Sequence, residues 1–159
     1  MSMRDELKAK LAALAGVVGP QSLEITDGGS RLLAELDECD RLACAVRRFT
    51  LHTDRLANAD VARLRKLSEA LTSRLTYLLE PIGAVEIDAD SCTLQMRSTQ
   101  PQKDDDGTSY YELLVRRGGE IGLLRYAKAP GQSRRVISAH LTHEVLLRLV
   151  ADFAAVAVA

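Results

Sequence analysis

Residues 110–127 read YYELLVRRGGEIGLLRYA, in which a Gly118-Gly119 pair separates two apolar runs that carry tyrosine at their outer ends. Glycine readily adopts the positive φ angles that a tight hairpin turn requires. If the pair is a two-residue turn, Tyr111 lies opposite Tyr126, and aromatic pairs of this kind stabilise antiparallel strands. The same register gives four further pairs: Arg117–Glu120, Val115–Gly122, Leu113–Leu124 and Glu112–Arg125. The stretch therefore predicts a β-hairpin with a two-residue turn.

The composition is that of a folded protein built as one domain over residues 1–159. Hydrophobic residues make up 47% of the chain and charged residues 27%, which is well away from the composition of disordered chains. The formal net charge is −1. A chain this close to neutrality has no electrostatic drive toward nucleic acid or an anionic membrane. We therefore expect neither as a partner.

The cysteines and the chain ends indicate a cytoplasmic protein. The cysteines are Cys39, Cys44 and Cys92, an odd number without C-x-x-C spacing, so the sequence predicts reduced, buried thiols and no four-cysteine zinc site. The N-terminal segment mixes both charges, unlike a secretory signal peptide. The apolar run 145–159 is too short to span a bilayer.

Periodic apolar residues predict three helices. Residues 1–20 contain a short N-terminal helix, which we expect to be loosely attached to the rest of the domain. Residues 58–80 carry a leucine stripe at helical spacing and predict a long central helix that Pro81 ends. A C-terminal helix is predicted to begin near Ser138 or Thr142, either of which could cap it.

Residues 31–49 have an ambiguous pattern. Their apolar residues recur at helical spacing, which indicates a helix capped by Ser30. The Asp27-Gly28-Gly29 turn signal requires a strand on its far side instead, and the interpretation favours strands over 31–37 and 43–52. Another hairpin is predicted over 85–96. The segment 98–109 contains no apolar residue, so we expect an exposed, mobile connection there.

The predicted order of elements favours an α+β fold. Hairpins separated by single helices indicate an antiparallel meandering β-sheet with a long central helix and a C-terminal helix packed on it. These proportions are similar to those of bacterial secretion chaperones, a resemblance of shape.

His140, His143 and Glu144 form the only cluster of metal-ligand residue types in the sequence. Histidines three positions apart can share one face of a helix. Their order matches neither of the established zinc-peptidase signatures, however, and no fourth ligand is evident. We therefore interpret the cluster as structural and predict no catalytic zinc and no cofactor.

The tyrosines and arginines of the central hairpin are a second candidate site. Tyr110, Arg116 and Arg125 could line a pocket for an anionic ligand, although aromatic residues at strand spacing are also ordinary sheet formers. No glycine-rich phosphate-binding motif is present, which disfavours nucleotide chemistry.

The hairpin also predicts an interface. With the predicted register, the second face of the sheet carries four apolar side chains among charged ones: Tyr110, Leu114, Ile121 and Leu123. Such a patch is large enough to mark an interaction site.

The sequence thus predicts a non-catalytic cytoplasmic interaction module that forms a homodimer. The alternative is a small enzyme or ligand-binding protein that uses either His140, His143 and Glu144 or the face formed by Tyr110, Arg116 and Arg125.

Overall fold

The computed structural model describes residues 1–159 and has ten strands, three α-helices and one short 3-10 helix. The helices are α1 (Met3–Leu14), α2 (Val61–Arg74) and α3 (His143–Val158), with the 3-10 turn at Asp54–Leu56. The strands are β1 (Gln21–Asp27), β2 (Ser30–Cys39), β3 (Ala43–Thr53), β4 (Ile82–Asp88), β5 (Thr93–Ser98), β6 (Gln102–Asp104), β7 (Gly107–Arg116), β8 (Glu120–Lys128), β9 (Arg135–Ile137) and β10 (Ala139–Thr142). Mixed helix and antiparallel sheet confirm the predicted fold class.

All strand pairs are antiparallel, and the principal order across the sheet is β1-β2-β3-β8-β7-β5-β4. The short strands β6, β9 and β10 attach to β7, β8 and β3 respectively. The sheet thus joins two runs of hairpin-connected strands, one before and one after α2, through the pairing of β3 with β8. It is not a single uninterrupted meander.

One face of the sheet is buried under the helices. Directly opposed residues of six strands form a continuous apolar row: Ile25, Leu32, Leu51, Ile121, Val115 and Leu94. The three helices contact one another or this side of the sheet, and Phe153 of α3 packs against Phe49 with ring centroids 6.0 Å apart. We call this the inner face.

Strands β2 and β3 resolve the ambiguity of residues 31–49 in favour of strands. Leu32, Ala34 and Leu36 are buried in alternation with half-buried or exposed neighbours, which is the two-residue period of a strand. The turn at Gly28 and Gly29 pairs Asp27 with Ser30, as the turn signal predicts.

Helix α1 is packed on the core and is not loosely attached. Met3, Leu7 and Leu11 lie on one side of it and are buried against α3 and β1. Burial of each leucine side chain stabilises the packed helix by about 2 kcal/mol. This gain outweighs the conformational entropy that the N-terminal segment loses when it packs.

Helix α2 ends at Arg74, so the predicted long central helix over 58–80 is shorter than expected. The backbone leaves the helical conformation at Leu75, and Glu80 forms a buried ion pair with the sheet. Leu75 and Leu78 still reach the core from this irregular segment, which explains why the leucine stripe continues beyond the helix.

Helix α3 begins after Thr142, whose hydroxyl accepts a hydrogen bond from the Val145 amide. This confirms one of the two predicted caps. None of the three helices combines the length and the apolar composition needed to cross a membrane.

The predicted register of the central hairpin is wrong by one residue. Arg116, not Arg117, pairs with Glu120, and a three-residue loop joins β7 to β8. Only Gly119 of the two glycines has a positive φ, +98°, and its carbonyl accepts a hydrogen bond from the Thr53 amide of β3. The Gly119 amide donates to the Arg116 carbonyl at 3.0 Å, which closes the turn, and the neighbouring strand β3 holds it in place.

The segment 98–109 contains a short hairpin, because β6 pairs with the first residues of β7. Its side chains in β6 are exposed, as the composition predicts, but the backbone is part of the sheet. The hairpin predicted over 85–96 is confirmed by the pairing of β4 with β5.

Candidate functional site: the open face of the sheet

The face opposite the helices has no helix packed on it, and we call it the open face. Along its centre, directly opposed residues of four strands form an uncharged row: Leu33, Thr50, Gly122 and Leu114. Leu33 and Leu114 are half-buried. Gly122 has no side chain, so a depression of about 50 Å³ remains between Thr50, Leu114 and Leu124. The row is therefore uncharged and slightly concave, and the charged side chains of Arg48, Glu112, Arg116 and Glu120 border the depression.

A cluster of aromatic and charged side chains lies beside this row. Tyr110 of β7 and Tyr126 of β8 are paired across the strands, with ring centroids 5.9 Å apart. The Arg134 guanidinium lies 3.9 Å from the centre of the Tyr126 ring, and the Arg97 guanidinium lies 5.3 Å from that of Tyr110. Cations stacked on tyrosine faces are attracted by the ring quadrupole. We call these four residues the tyrosine–arginine platform.

Glu112 holds the platform together. Its side chain is only 3% exposed, although no helix covers it, because Arg97 and Arg134 close over it. Arg97 Nε donates to Glu112 Oε2 at 3.2 Å, and Arg134 Nη1 donates to the same oxygen. Hydrogen bonds to the Tyr110 hydroxyl and to Glu112 raise the pKa of Arg134 above its usual range. Both arginines are thus fixed before any partner binds.

The corrected register changes which predicted interface residues face outward. Tyr110 and Leu114 lie on the open face, as predicted, but Ile121 and Leu123 are buried on the inner face. A one-residue shift in register moves every side chain of a strand to the opposite face. Leu124 and Tyr126 of β8 lie on the open face instead.

The predicted pocket of Tyr110, Arg116 and Arg125 does not form, because these residues lie on different faces. Tyr110 and Arg116 project from the open face. Arg125 stacks on buried Tyr111, with its guanidinium 4.5 Å from the ring centre, and lines a cleft of about 540 Å³ beside the irregular segment that follows α2.

Arg125 is bound by acceptors inside this cleft. Its Nη2 donates to Glu80 Oε2 at 2.9 Å and to Ser109 Oγ at 3.0 Å. Ser98 Oγ donates to Glu80 Oε1 at 2.6 Å and accepts from the Tyr111 amide at 2.8 Å. The network ties the chain after α2 to the sheet. Burial, the largest cause, raises the pKa of Tyr111 in the same region.

The histidine cluster is also divided. His140 is exposed on strand β10, whereas His143 and Glu144 are the first residues of α3, so the two histidines do not share a helix face. The predicted i, i+3 arrangement is wrong because β10 pairs with β3 up to Thr142. His143 Nε2 instead lies 3.6 Å from the Cys39 sulfur.

Sequence reasoning missed the roles of Glu112, Arg97 and Arg134. The hairpin sequence held part of the signal. Had a three-residue loop at Gly118 and Gly119 been assumed, the register would have paired Tyr110 with Tyr126. Arg134 follows a proline- and glycine-containing loop and reaches the platform only through the tertiary fold.

Comparison of the chain with known protein families, with curated proteins and with solved structures found no match.

Proposed function

We propose that this protein is a non-catalytic, cytoplasmic protein-interaction module that forms a homodimer through the open face of its sheet. The observation that carries the proposal is the one-sided packing of the helices, which leaves the row containing Leu33 and Leu114 without a covering element. An uncovered sheet face that carries apolar and aromatic side chains is a candidate interaction surface.

The side chains around the row support a protein partner. Tyrosine and arginine are enriched at the centres of protein interfaces, since they provide large contact area with few freely rotating bonds. The tyrosine–arginine platform presents both residue types, and Glu112 fixes its two arginines. A partner therefore meets a surface that loses little conformational freedom on binding.

The charge pattern favours a second copy of the chain as that partner. Opposite charges face each other across neighbouring strands of the open face, as in the pairs Arg116–Glu120 and Arg97–Glu112. A surface that carries both signs in this way can be self-complementary about a two-fold axis, with each basic group near an acidic group of the other copy.

Light scattering and sedimentation at micromolar concentration test the proposal. We expect a dimer for the natural chain and a monomer for Leu114→Asp and for Leu124→Asp, because each introduces a charge at the centre of the contact. Leu79→Asp is the matched control, since Leu79 is 92% exposed and borders the cleft on the other side of the sheet. Circular dichroism verifies that each variant is folded. A monomeric natural chain, or a dimer that both open-face variants preserve, refutes the proposal.

A small anionic ligand in the cleft is the second candidate function. Arg125 Nη1 is buried there without a hydrogen-bond partner, which favours an acceptor supplied by a ligand. A rise in thermal midpoint with a small carboxylic acid, absent in Arg125→Lys, would support it. No rise with the natural chain would exclude such a ligand.

The predicted proportions, which resemble those of bacterial secretion chaperones, would imply a secreted protein as another class of partner. This implication stays a prediction. A secreted partner that uses the open face would compete with the dimer, so the same Leu114→Asp variant would lose both contacts.

A further inference from the structure

We propose that Cys39, Cys44 and His143 form a binding site for a thiophilic transition-metal ion, with zinc as the ion to test. The site is separate from the open face and does not depend on its function. It differs from the histidine cluster of the sequence, since neither His140 nor Glu144 takes part.

The β2–β3 hairpin places the two cysteines opposite each other. Cys39 and Cys44 are directly paired, and the turn between them is shaped by Asp40, whose Oδ1 accepts hydrogen bonds from the amides of Leu42 and Ala43 at 2.7 and 2.8 Å. The side chains of directly opposed residues on antiparallel strands project to the same face. Cys44 Sγ consequently lies 2.9 Å from Cys39 Sγ.

Helix α3 supplies the third group. The His143 amide donates to the Leu42 carbonyl at 2.8 Å, which fixes the first residue of the helix against the hairpin turn. This contact brings His143 Nε2 to 3.6 Å from Cys39 Sγ, and all three ligand atoms lie within 4.8 Å of one another. Two sulfurs and one imidazole nitrogen are thus gathered from three elements of the fold.

This donor set is selective. Thiolate and imidazole ligands favour zinc and copper(I) over magnesium and calcium, which prefer oxygen. Two cysteines and one histidine with one open position form an established type of zinc site. In tetrahedral geometry the sulfurs would lie about 3.8 Å apart, so they must separate by rotation about their side-chain bonds.

An entry path lies beside the cluster. A cleft of about 300 Å³ is lined by Cys39, Cys44, His140 and the segment 16–19. This space is large enough for a hydrated ion to reach the two cysteines. Binding of Zn²⁺ by two thiols and a neutral imidazole releases two protons to solvent and leaves a site of no net charge.

A disulfide is the competing use of the same cysteines. Directly opposed cysteines at this separation are close enough for a cross-strand bond. A disulfide needs no imidazole, however, whereas His143 completes a ligand set. The geometry therefore favours the metal.

Competition for zinc with a chromophoric chelator, on protein kept reduced with a phosphine, tests the proposal. We expect one zinc ion per chain, and a loss of affinity of about tenfold or more in Cys39→Ser, Cys44→Ser and His143→Ala. Cys92→Ser and His52→Ala are matched controls that should bind as the natural chain does, because Cys92 lies in the β4–β5 turn and His52 lies at the other end of β3, paired with Glu120.

Cobalt provides a second measurement on the natural chain alone. Bound Co²⁺ should show sulfur-to-metal charge transfer and the ligand-field bands of a four-coordinate site. No stoichiometric zinc in the reduced natural chain refutes the proposal, whether or not the variants fold. It is likewise overturned if reduced protein binds no metal and air oxidation joins Cys39 to Cys44, which would identify a redox pair instead. Equal binding by the cysteine variants and Cys92→Ser also contradicts it.

Discussion

Each face of the sheet holds a buried glutamate that is paired with arginine, but the two pairs differ in how far water reaches them. On the inner face the side chains of Glu80 and Arg125 are 4% and 12% exposed. On the open face Glu112 is as buried as Glu80, yet its partners Arg97 and Arg134 are 39% and 36% exposed. The inner pair is thus shielded from water, whereas the arginines of the open-face pairs remain accessible to a partner, as the proposed function requires.

The largest expected effect is at Glu80, where Glu80→Ala leaves Arg125 without its carboxylate partner. Removing one member of a buried ion pair costs about 3–5 kcal/mol, because the remaining charge is poorly solvated. We expect the free energy of unfolding, measured by urea denaturation, to fall by about 4 kcal/mol. A loss below about 1 kcal/mol would show that water already reaches Arg125 and would remove the contrast between the faces.

Consecutive leucines of β8 give a sharper test of the same contrast. Leu123→Ala removes a buried side chain on the inner face and should cost about 3 kcal/mol. Leu124→Ala removes a half-buried side chain on the open face and should cost less than about 1 kcal/mol when the protein is monomeric. Urea denaturation of both variants at low concentration makes the measurement. The opposite order of effects would support the two-residue turn and contradict the observed register.

The distribution of these leucines shows which part of the fold is encoded locally. The turn signal at Gly28 and Gly29 was sufficient to predict a strand on its far side, although the apolar residues of 31–49 recur at helical spacing. The central hairpin was also evident, but its loop length depends on the Thr53 amide of β3, which is distant in sequence. The local sequence pattern therefore predicted where strands form. Tertiary contacts set the register of the central hairpin, and the register sets the face on which each side chain lies.

The candidate sites depend even more on distant contacts. Tyr110 and Leu114 could be assigned to the open face from alternation along β7. The approach of His143 to Cys39 could not be predicted, since it requires the pairing of β10 with β3 and the position where α3 begins. The opposition of Cys39 and Cys44 was closer to being predicted, because Cys44 lies within the predicted strand 43–52 and Cys39 lies just beyond the predicted strand 31–37.

A smaller effect is expected at Glu112 on the open face. Glu112→Gln removes the charge but keeps the shape, and the half-exposed Arg97 and Arg134 can turn to solvent. We expect a loss of about 1 kcal/mol in the free energy of unfolding, far below that of Glu80→Ala. Dimer affinity, measured by sedimentation, should fall more clearly than stability, because the platform loses its fixed arginines. A loss as large as that at Glu80 would mean that this network is structural.

The last expected effect depends on pH and lies in the helix layer over the inner face. Tyr77 donates a hydrogen bond to Asp152 Oδ2 at 2.6 Å, and the Arg148 guanidinium lies 4.0 Å from its ring centre. Burial is the main cause that raises the pKa of Tyr77, and the hydrogen bond to Asp152 adds to it. The neutral phenol is therefore retained in the folded chain at pH values where the unfolded chain ionises.

The sign of the pH dependence follows from this difference between the two states. The contribution of Tyr77 is fully present below the unfolded pKa of about 10 and is lost as pH rises above it, by at most about 1.4 kcal/mol per pH unit. Tyr77→Phe should cost about 1 kcal/mol at pH 7, where it only removes the hydrogen bond, and should flatten the decline above pH 10. Denaturation curves collected from pH 7 to about pH 11 make the comparison. An equal decline in the natural chain and in Tyr77→Phe would show that the helix layer does not hold this phenol neutral.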